Sequence, residues 1–282
     1  TEAVTVKCRV SATQAISAVE AIWHREDAAG GGTVTLRDDG LSGDGAAGDG
    51  EFAGAIPAQP DKAVVGFQIR ARLADGKTAT VPRAPAVPPY GGFTGPFYLY
   101  QVLAASPPLN PSENYFVVMA AADLNELRTR PRESNVMLPC TFIHVARDGD
   151  SSVRHLCGLR YRGEQTRADD RKGYRINFPS EHDFEGIEHM NLVASQVDRE
   201  LLVSDLFRRS GMPYPVEWSV NLTFQGTLAP RYAVKEHLDS NFLSRFFGDA
   251  SDSENFYRAI DPIDDPRAGD LTYFGEDPAE YV

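Results

Sequence analysis

The sequence contains few cysteines, no long apolar run and no excess of basic residues. Its 282 residues include 3 cysteines, 40 acidic and 28 basic side chains, which gives a net charge of -12. Nucleic-acid binding requires a cationic surface, so this balance argues against nucleic acid, and against an anionic membrane, as the main partner. No segment approaches the roughly 20 apolar residues of a transmembrane helix, so none is predicted.

The three cysteines are too few for a disulfide-rich scaffold, and no Cys/His spacing matches a zinc site. Cys140 and Cys157 flank a segment with an Asp-Gly turn at 148–149, which predicts a hairpin with a two-residue loop. In that register the two cysteines lie opposite each other at a non-hydrogen-bonded position, about 4.5 Å apart between Cα atoms. They are either a disulfide, typical of an oxidising compartment, or two buried free thiols.

The chain has enough apolar residues to form a real core. Hydrophobic residues make up 42% and aromatic residues 10% of the sequence, which argues against wholesale disorder. The length suits one large domain or two ordinary ones. Because the sequence opens inside a predicted strand and stops at DPAEYV, we expect it to be a piece of a longer protein.

Residues 1–88 predict an all-β sandwich. Short alternating or apolar runs are separated by Gly, Asp and Pro every 8 to 14 residues or so; they are AVTVKCRVSA, SAVEAIWHRE, GTVTLRDDG, EFAGAIPA, AVVGFQIRARLADG and ATVPRAP. Residues 89–113 are rich in Pro and Gly and predict a linker. The sequence therefore predicts two units.

Residues 114–282 predict a mixed unit, so the overall fold class is α+β. The predicted strands are NYFVVMA, the two arms of the cysteine hairpin, KGYRINFP, VEWSVNLTFQG and APRYAVKEHLD. A short helix is predicted at ADLNELRTR, and a longer one over 198–210 with Asp198 as N-cap and Gly211 at its end. A third helix, SNFLSRFFG, is predicted with Ser240 as N-cap.

An acidic, glycine-rich loop lies in the first unit. It spans Arg37–Phe52 and carries Asp38, Asp39, Asp44 and Asp49. Glycine permits tight turns that let oxygen atoms converge, and Ca²⁺ prefers such hard oxygen ligands. The alternative is a long hairpin loop stabilised by side-chain to backbone hydrogen bonds. The loop resembles those of immunoglobulin-like modules in secreted bacterial proteins, which implies an accessory adhesive or spacer domain.

From about residue 114 the chain resembles the CotH family, the spore coat protein H-like atypical protein kinases. Five blocks in the family's order carry the resemblance; they are YFVVMAAADLNEL, GLRYRGEQTRADDRKGYRINF, MNLVASQVDRELLVSDLFRRSG, RYAVKEHLDSNFLSRFFG, and ENFYRAID followed by GDLTYFGEDPAEYV. The resemblance implies the N-terminal lobe of an atypical kinase, truncated at its C-terminal end. In the family, the metal-binding and catalytic aspartates lie beyond this point.

The resemblance implies a nucleotide-binding site in the second block and near KEHLD. The implied site residues are Arg162, Gly163, Arg167, Arg171, Lys172 and Glu236. Lys172 corresponds to the phosphate lysine, with Arg171 as its rival, and the backbone around Glu236 would face the adenine. Strand alternation places Lys172 on the face of Tyr174, and Arg171 on the other.

The basic loop of the second block and Glu236 each have a simpler interpretation, without a nucleotide. The family's neutral Asn-Ser-Ser is Glu164-Gln165-Thr166 here, and the basic residues could form a solvated loop neutralised by its acidic neighbours. Glu236 could be a surface carboxylate that pairs with Lys235 or Arg245, which would contribute little.

The implied function is transfer of the ATP γ-phosphate to Ser or Thr of a surface or coat protein, with Mg²⁺ or Mn²⁺. The protein would be bacterial and extracellular, or in the cell envelope or spore coat. One alternative is a structural or adhesive surface protein with a catalytically inactive kinase-like domain. Another, which rests on the predicted sandwich alone, is a carbohydrate-binding or hydrolase-associated module.

Overall fold

The computed structural model describes residues 2–83, 97–105, 113–163 and 165–248. Within these ranges the chain forms two adjoining β structures. Glu164 and the predicted features beyond residue 248 lie outside the described residues.

The N-terminal part contains all six strands that the sequence predicted, plus one more. The strands are β1 (Val4–Arg9), β2 (Ile16–Arg25), β3 (Gly31–Leu36), β4 (Glu51–Ile56), β5 (Val64–Leu73), β6 (Thr78–Val81) and β7 (Tyr98–Gln101). β1 pairs with β4, while β3, β2, β5 and β6 form a second sheet. Inward-facing side chains of both sheets share one core, which includes Val6, Val19, Leu36, Ile56 and Ile69. The immunoglobulin-like assignment stays a prediction.

The extra strand lies where the sequence analysis placed a linker. β7 pairs antiparallel with the first half of β5, beside the segment that pairs with β6. Leu99 on β7 packs with Val64 and Val118, so this strand connects the N-terminal sheet to the second unit. The tetrapeptide YLYQ is therefore structural, although residues 84–96 and 106–112 of the Pro/Gly-rich region lie outside the description.

The second unit is a closed barrel of seven strands. Its elements are β8 (Glu113–Val118), α1 (Ala121–Thr129), β9 (Leu138–Val145), β10 (Ser151–Arg162), β11 (Gly173–Asn177), β12 (His189–Val193), α2 (Val197–Arg209), β13 (Glu217–Phe224), β14 (Thr227–Glu236) and α3 (Ser240–Phe247). The strand order around the barrel is β10-β11-β12-β14-β13-β8-β9. β8 and β13 are parallel, and the other neighbours are antiparallel. The predicted combination of strands and helices is thus present, but the sheet closes into a barrel and does not clearly match the N-terminal lobe of a kinase.

The barrel interior is filled by large apolar side chains. Those with less than 2% exposure include Tyr115, Phe142, Leu159, Ile176 and Leu222. They alternate along their strands with outward-facing residues, as the twofold period of a strand requires. Burying such side chains is the dominant favourable term in the stability of the unit.

The predicted β9–β10 hairpin forms, but its turn differs from the prediction. The Ala146 N–H donates to the Asp150 carbonyl at 2.8 Å, which makes a three-residue loop rather than a two-residue one. Gly149 has a φ of 93° in this loop, a left-handed conformation that glycine adopts without a steric penalty. The register next to the turn is therefore shifted by one residue.

A β-bulge cancels that shift before the cysteines are reached. β10 carries an extra residue between Arg154 and Cys157, where Leu156 has a φ of 59°. As a result, Cys140 does lie opposite Cys157, as predicted. Of the two alternatives, a disulfide or two buried free thiols, the structure contains the free thiols, with the Cys157 thiol directed at the Arg154 carbonyl 3.4 Å away. Burial raises the pKa of Cys157 to about 12 and that of Cys140 well above its usual value, so both are protonated.

The predicted caps of two helices are shifted. Gln196, in a left-handed conformation with φ of 51°, is the N-cap of α2, and Asp198 lies in the first turn. At α3 the Asp239 carboxylate accepts the Phe242 N–H at 3.3 Å, so Asp239 takes the capping role predicted for Ser240. Helix bounds shift by one or two residues readily because helix ends share their backbone donors with several acceptors.

Candidate functional site

The loop between β10 and β11 begins where Arg162 pairs with Gly173. Gly163 opens it with a φ of 92°, and a Cβ placed there would lie 1.9 Å from the Thr166 Oγ1. Only glycine fits this position, because a side chain would be strained in its backbone and would also collide with Thr166. The loop then makes a single 3₁₀ turn over Gln165–Arg167.

Arg167 is buried and holds this loop to the segment after α1. Its side chain donates to the carbonyls of Gly163 at 2.5 Å, Arg132 at 2.9 Å and Ser134 at 3.2 Å, and to the Asn135 Oδ1 at 2.6 Å. Its exposure is 7%. A guanidinium with this many protein acceptors is a structural connection, so the structure does not support Arg167 as a phosphate ligand.

Lys172 also points into the loop. Its Nζ donates to the Arg167 carbonyl at 2.8 Å and lies 5.7 Å from the centre of the Tyr161 ring. Tyr161 contacts Tyr174, with ring centres 5.8 Å apart. The Lys172 ammonium group is therefore held against the main chain of the loop.

Arg171 lines a cleft beside this loop. Its guanidinium lies over the Tyr232 ring at 4.6 Å and donates to the Arg231 carbonyl. Two adjoining hollows of about 190 and 440 Å³ share Arg171 and Ala194 as lining residues. Of the two rival cations, Arg171 is the one that lines the cleft.

The rest of the cleft comes from the β10–β11 loop, the start of α2 and β14. Its lining residues include Arg162, Gly163, Thr166, Ser195, Gln196, Val197, Asp198, Arg199, Glu200 and Arg231. The first turn of a helix presents unpaired N–H groups and a partial positive charge. Arginines and a helix start on one cleft are a favourable arrangement for phosphate.

Cations are concentrated on the neighbouring strands. Arg160 on β10 has its pKa lowered to about 10, first by burial and then by the charges of Arg167, Arg175 and Arg162. The contribution of these neighbouring arginines, which comes after that of burial, marks a local concentration of positive charge in a chain that is acidic overall. An anion bound nearby would relieve this repulsion.

Acidic residues at the cleft already have partners. Asp198 forms an ion pair with Arg231, and Glu200 bonds to Lys235 at 2.6 Å. Lys235 also pairs with Glu217 at 3.1 Å, whose side chain is only 1% exposed. Burial is the main cause that raises the pKa of Glu217, whereas for Lys235 the two carboxylates outweigh burial and raise its pKa. The Glu200–Lys235 ion pair between α2 and β14 was not predicted from the sequence, since the two residues are 35 positions apart.

Glu236 lies at the end of β14 away from the cleft, and its carboxylate bonds to other residues there. Its carboxylate bonds twice to Arg245, at 2.8 and 2.5 Å, and accepts the Val216 N–H at 2.9 Å. Five residues of strand, about 17 Å, separate it from Arg231. The structure therefore brings Arg162, Gly163 and Arg171 together at the cleft but not Glu236, whose side chain makes the Arg245 pair of the plainer interpretation.

One strand between β11 and α2 was not predicted. The sequence pattern predicted the strand KGYRINFP followed by the helix over 198–210, but β12 intervenes, and its sequence HMNLV contains no lysine. β12 pairs with β11 on one side and with β14 on the other. Lys235 on β14 pairs with Glu200 of the preceding helix α2.

The carboxylates of the acidic loop in the N-terminal unit accept hydrogen bonds from the backbone of the same loop. The Asp38 carboxylate accepts the N–H groups of Gly48, Asp49 and Gly50, and Asp49 accepts those of Ala46 and Glu51.

The other two carboxylates of the loop are used in the same way. Asp39 accepts from Leu41 and Ser42, and Asp44 from Gly40 and Ser42. Backbone hydrogen bonds, Leu41 first, hold the pKa of Asp39 below its usual value. Within the described ranges, no three His, Cys, Asp or Glu side chains are grouped to hold a metal ion. The geometry is that of a loop stabilised by side-chain to backbone hydrogen bonds, and calcium binding stays a prediction.

Comparison with protein families supports the last four of the five sequence blocks, while YFVVMAAADLNEL lies before the matched segment. Residues 159–281 match the family model described as CotH kinase protein. That part of the chain is similar to the CotH family. The match begins in β10 and includes the cleft, β11–β14, α2 and α3. No curated protein matches the chain. Among the helices of the described residues, none is long and apolar enough to cross a membrane.

Proposed function

We propose that the CotH-like part of the chain binds the phosphates of ATP in the cleft between the β10–β11 loop and the start of α2. The observation that carries this proposal is the convergence of Arg162, Arg171 and Arg231 with the first turn of α2 on one cleft. The cleft lies inside the segment that matches the CotH kinase family. The reaction it serves would be transfer of the γ-phosphate to Ser or Thr of a surface or coat protein.

Physical chemistry supports assigning phosphates to this cleft. Phosphoryl transfer is catalysed mostly by positioning and by stabilising negative charge. Arginine suits that task because its planar guanidinium binds two phosphate oxygens at once. Arg171 is prepositioned by the Tyr232 ring, so little side-chain freedom remains to be lost on binding.

The described residues do not present a carboxylate group that fits Mg²⁺ or Mn²⁺. Asp198 and Glu200 are at the cleft, but each already pairs with a base, and no third acidic side chain joins them. We therefore propose that these residues bind the nucleotide, and we propose no metal-dependent step for them.

A second candidate function is a structural or adhesive protein of the cell surface or spore coat with an inactive kinase-like domain. The observation in its favour is that Lys172 and Arg167 bond to main-chain carbonyls of the loop. Two cations that the family resemblance assigns to nucleotide are thus used to hold the fold. An extracellular or envelope location fits both candidates and is part of the same proposal.

Calorimetric titration of the full chain with ATP and Mg²⁺ tests binding. We expect Arg171→Ala to weaken ATP binding by about tenfold or more, the value of one charge-assisted hydrogen bond. Lys172→Ala should change binding less than twofold. Arg209→Ala is the matched control, because it removes an equal charge from the other end of α2, where the side chain is 69% exposed.

Two results would contradict the proposal. The first is absence of ATP binding to the unaltered chain. The second is an equal effect of Arg171→Ala and Arg209→Ala. A parallel assay with γ-labelled ATP separates the two candidates, since binding without transfer to any protein supports the inactive one.

A further inference from the structure

The apolar residues of α2 face outwards. Leu202 is 58% exposed, Val203 49%, Leu206 51% and Phe207 41%. The sequence pattern predicted a helical face formed by these residues together with Leu201. Of that set, only Leu201 packs inwards, against Val193, Val197 and Ala233.

The inward face of α2 is correspondingly less apolar. Ser204 is buried there, and its hydroxyl donates to the Pro215 carbonyl at 2.7 Å. A surface helix normally turns its apolar stripe to the core and its polar residues to water. In α2 the larger apolar stripe is the exposed one, so a second surface must cover it to gain its hydrophobic free energy.

The exposed stripe continues past the end of the helix. Met212 is 44% exposed, and its N–H bonds to the Phe207 carbonyl at 3.0 Å, so it lies against the last turn. Contiguous apolar patches beyond a few hundred Å² are rare on monomers and mark interaction sites. We name the surface formed by Leu202, Val203, Leu206, Phe207 and Met212 the α2 face.

The charges at the two ends of the helix suggest what covers this face. Asp198 lies in the first turn, where it pairs with Arg231, and Arg208 and Arg209 lie in the last, where both pair with Asp205. Exposed pairs of this kind contribute little, so the charges of a partner can compete with them. Two such helices packed antiparallel across a twofold axis would place the basic end of each beside the acidic end of the other, over a length of about 20 Å. A twofold interface needs one self-complementary surface, and this pattern of apolar centre and opposite ends provides it.

We propose that the α2 face is the docking surface for a second copy of this chain, with the two α2 helices antiparallel. Stable dimers bury roughly 800 Å² from each partner. A helix of 13 residues supplies only part of that area. We therefore expect a reversible dimer with a micromolar Kd.

Sedimentation velocity of the full chain between about 1 and 200 µM tests this. The unaltered chain should pass from monomer to dimer over that range, and Leu206→Asp should remain monomeric throughout. Val153→Asp is the control, because Val153 is an equally exposed apolar residue, at 50%, on β10. A chain that stays monomeric, or a dimer that survives Leu206→Asp, would overturn the proposal.

Charge reversal tests the antiparallel arrangement. Asp198→Arg and Arg209→Glu should each weaken the dimer several-fold, and the double variant should recover affinity because the reversed ends again attract. Additive losses in the double variant would rule the antiparallel pairing out.

Photocrosslinking identifies what contacts the face. Benzoylphenylalanine in place of Leu206, in a mixture of isotopically heavy and light full chains, should give mixed-isotope products joined through α2. A product confined to one chain, for example with residues 249–282, or no product at all, would overturn the second-copy proposal. The same probe at Val153 is the control for random collision.

Discussion

The Lys172 amino group donates a 2.8 Å hydrogen bond to the main-chain carbonyl of Arg167. Arg167 in turn donates from its side chain to four protein acceptors. Two of the cations in the loop therefore stabilise its conformation, and Arg171 between them and Arg162 at its start line the cleft. One part of the loop therefore stabilises its conformation, and the other part lines the cleft.

Replacing Arg167 by Ala should lower the free energy of unfolding by about 2–4 kcal/mol, because three partly buried carbonyls and an amide oxygen lose their donor. Urea denaturation at pH 7 measures this. Arg132→Ala is the control: its guanidinium is 48% exposed and pairs with neighbouring Glu133, so a loss under about 0.5 kcal/mol is expected. Equal losses for both variants would contradict the structural role of Arg167.

Gly163→Ala should cost about 2–3 kcal/mol, since it adds both a left-handed backbone penalty and a collision with Thr166. Two comparisons separate these costs in thermal and urea unfolding. Gly149→Ala has a nearly equal φ, 93°, but no atom within 4 Å of the added Cβ, so it should cost about 1 kcal/mol. Gly163→Ala with Thr166→Ala should fall to that same smaller cost, and failure to do so would refute the collision.

Most strands could be predicted from sequence because their apolar residues alternate and their ends carry Gly, Asp or Pro. β12 and β7 were missed for different reasons. HMNLV is buried along almost its whole length, so it lacks the alternation of a half-exposed strand, and it directly precedes a helix. YLYQ is a four-residue strand next to a Pro/Gly-rich stretch, whose composition dominated the interpretation.

The site was predictable in its location and less so in its orientation. The sequence located the loop and predicted opposite faces for Arg171 and Lys172, which stays a prediction because both residues precede β11; of the two, only Arg171 lines the cleft. It could not tell which side is the cleft, because that depends on β12 and β14 packing beside β11. Likewise, the helical spacing of Leu202 and Leu206 predicts a helix but cannot tell an inward from an outward face.

Asp123 makes stability depend on pH. It lies in the first turn of α1 and lines a cavity of about 160 Å³ between the barrel and the N-terminal sheet. Burial, followed by the charges of Glu126 and Glu26, raises the pKa of Asp123 to about 6. The folded state therefore binds a proton that the unfolded chain releases near pH 4, so this contribution is complete below pH 4 and is lost as the pH rises through 6.

Asp123→Asn should consequently match the unaltered chain below pH 4 and be more stable by about 1–2 kcal/mol at pH 7, a value reduced for partial solvent screening. Urea unfolding at several pH values between 4 and 7 measures the difference. Glu133→Gln, which alters a carboxylate 61% exposed to solvent, is the control and should show no such rise. A stability difference that does not change with pH would exclude Asp123 as the titrating group.

The Lys235 ion pairs connect α2 to the barrel, so their loss should be costly. Lys235→Ala leaves Glu217, 1% exposed, without a cation, and we expect a loss of about 3–5 kcal/mol in urea unfolding. The double variant Lys235→Met with Glu217→Leu should recover most of this, because removing both charges also removes their desolvation cost. Arg209→Ala breaks an exposed pair on the same helix and should cost under about 1 kcal/mol. A double variant as unstable as Lys235→Ala would show that Lys235 acts through packing or through Glu200, and not by neutralising Glu217.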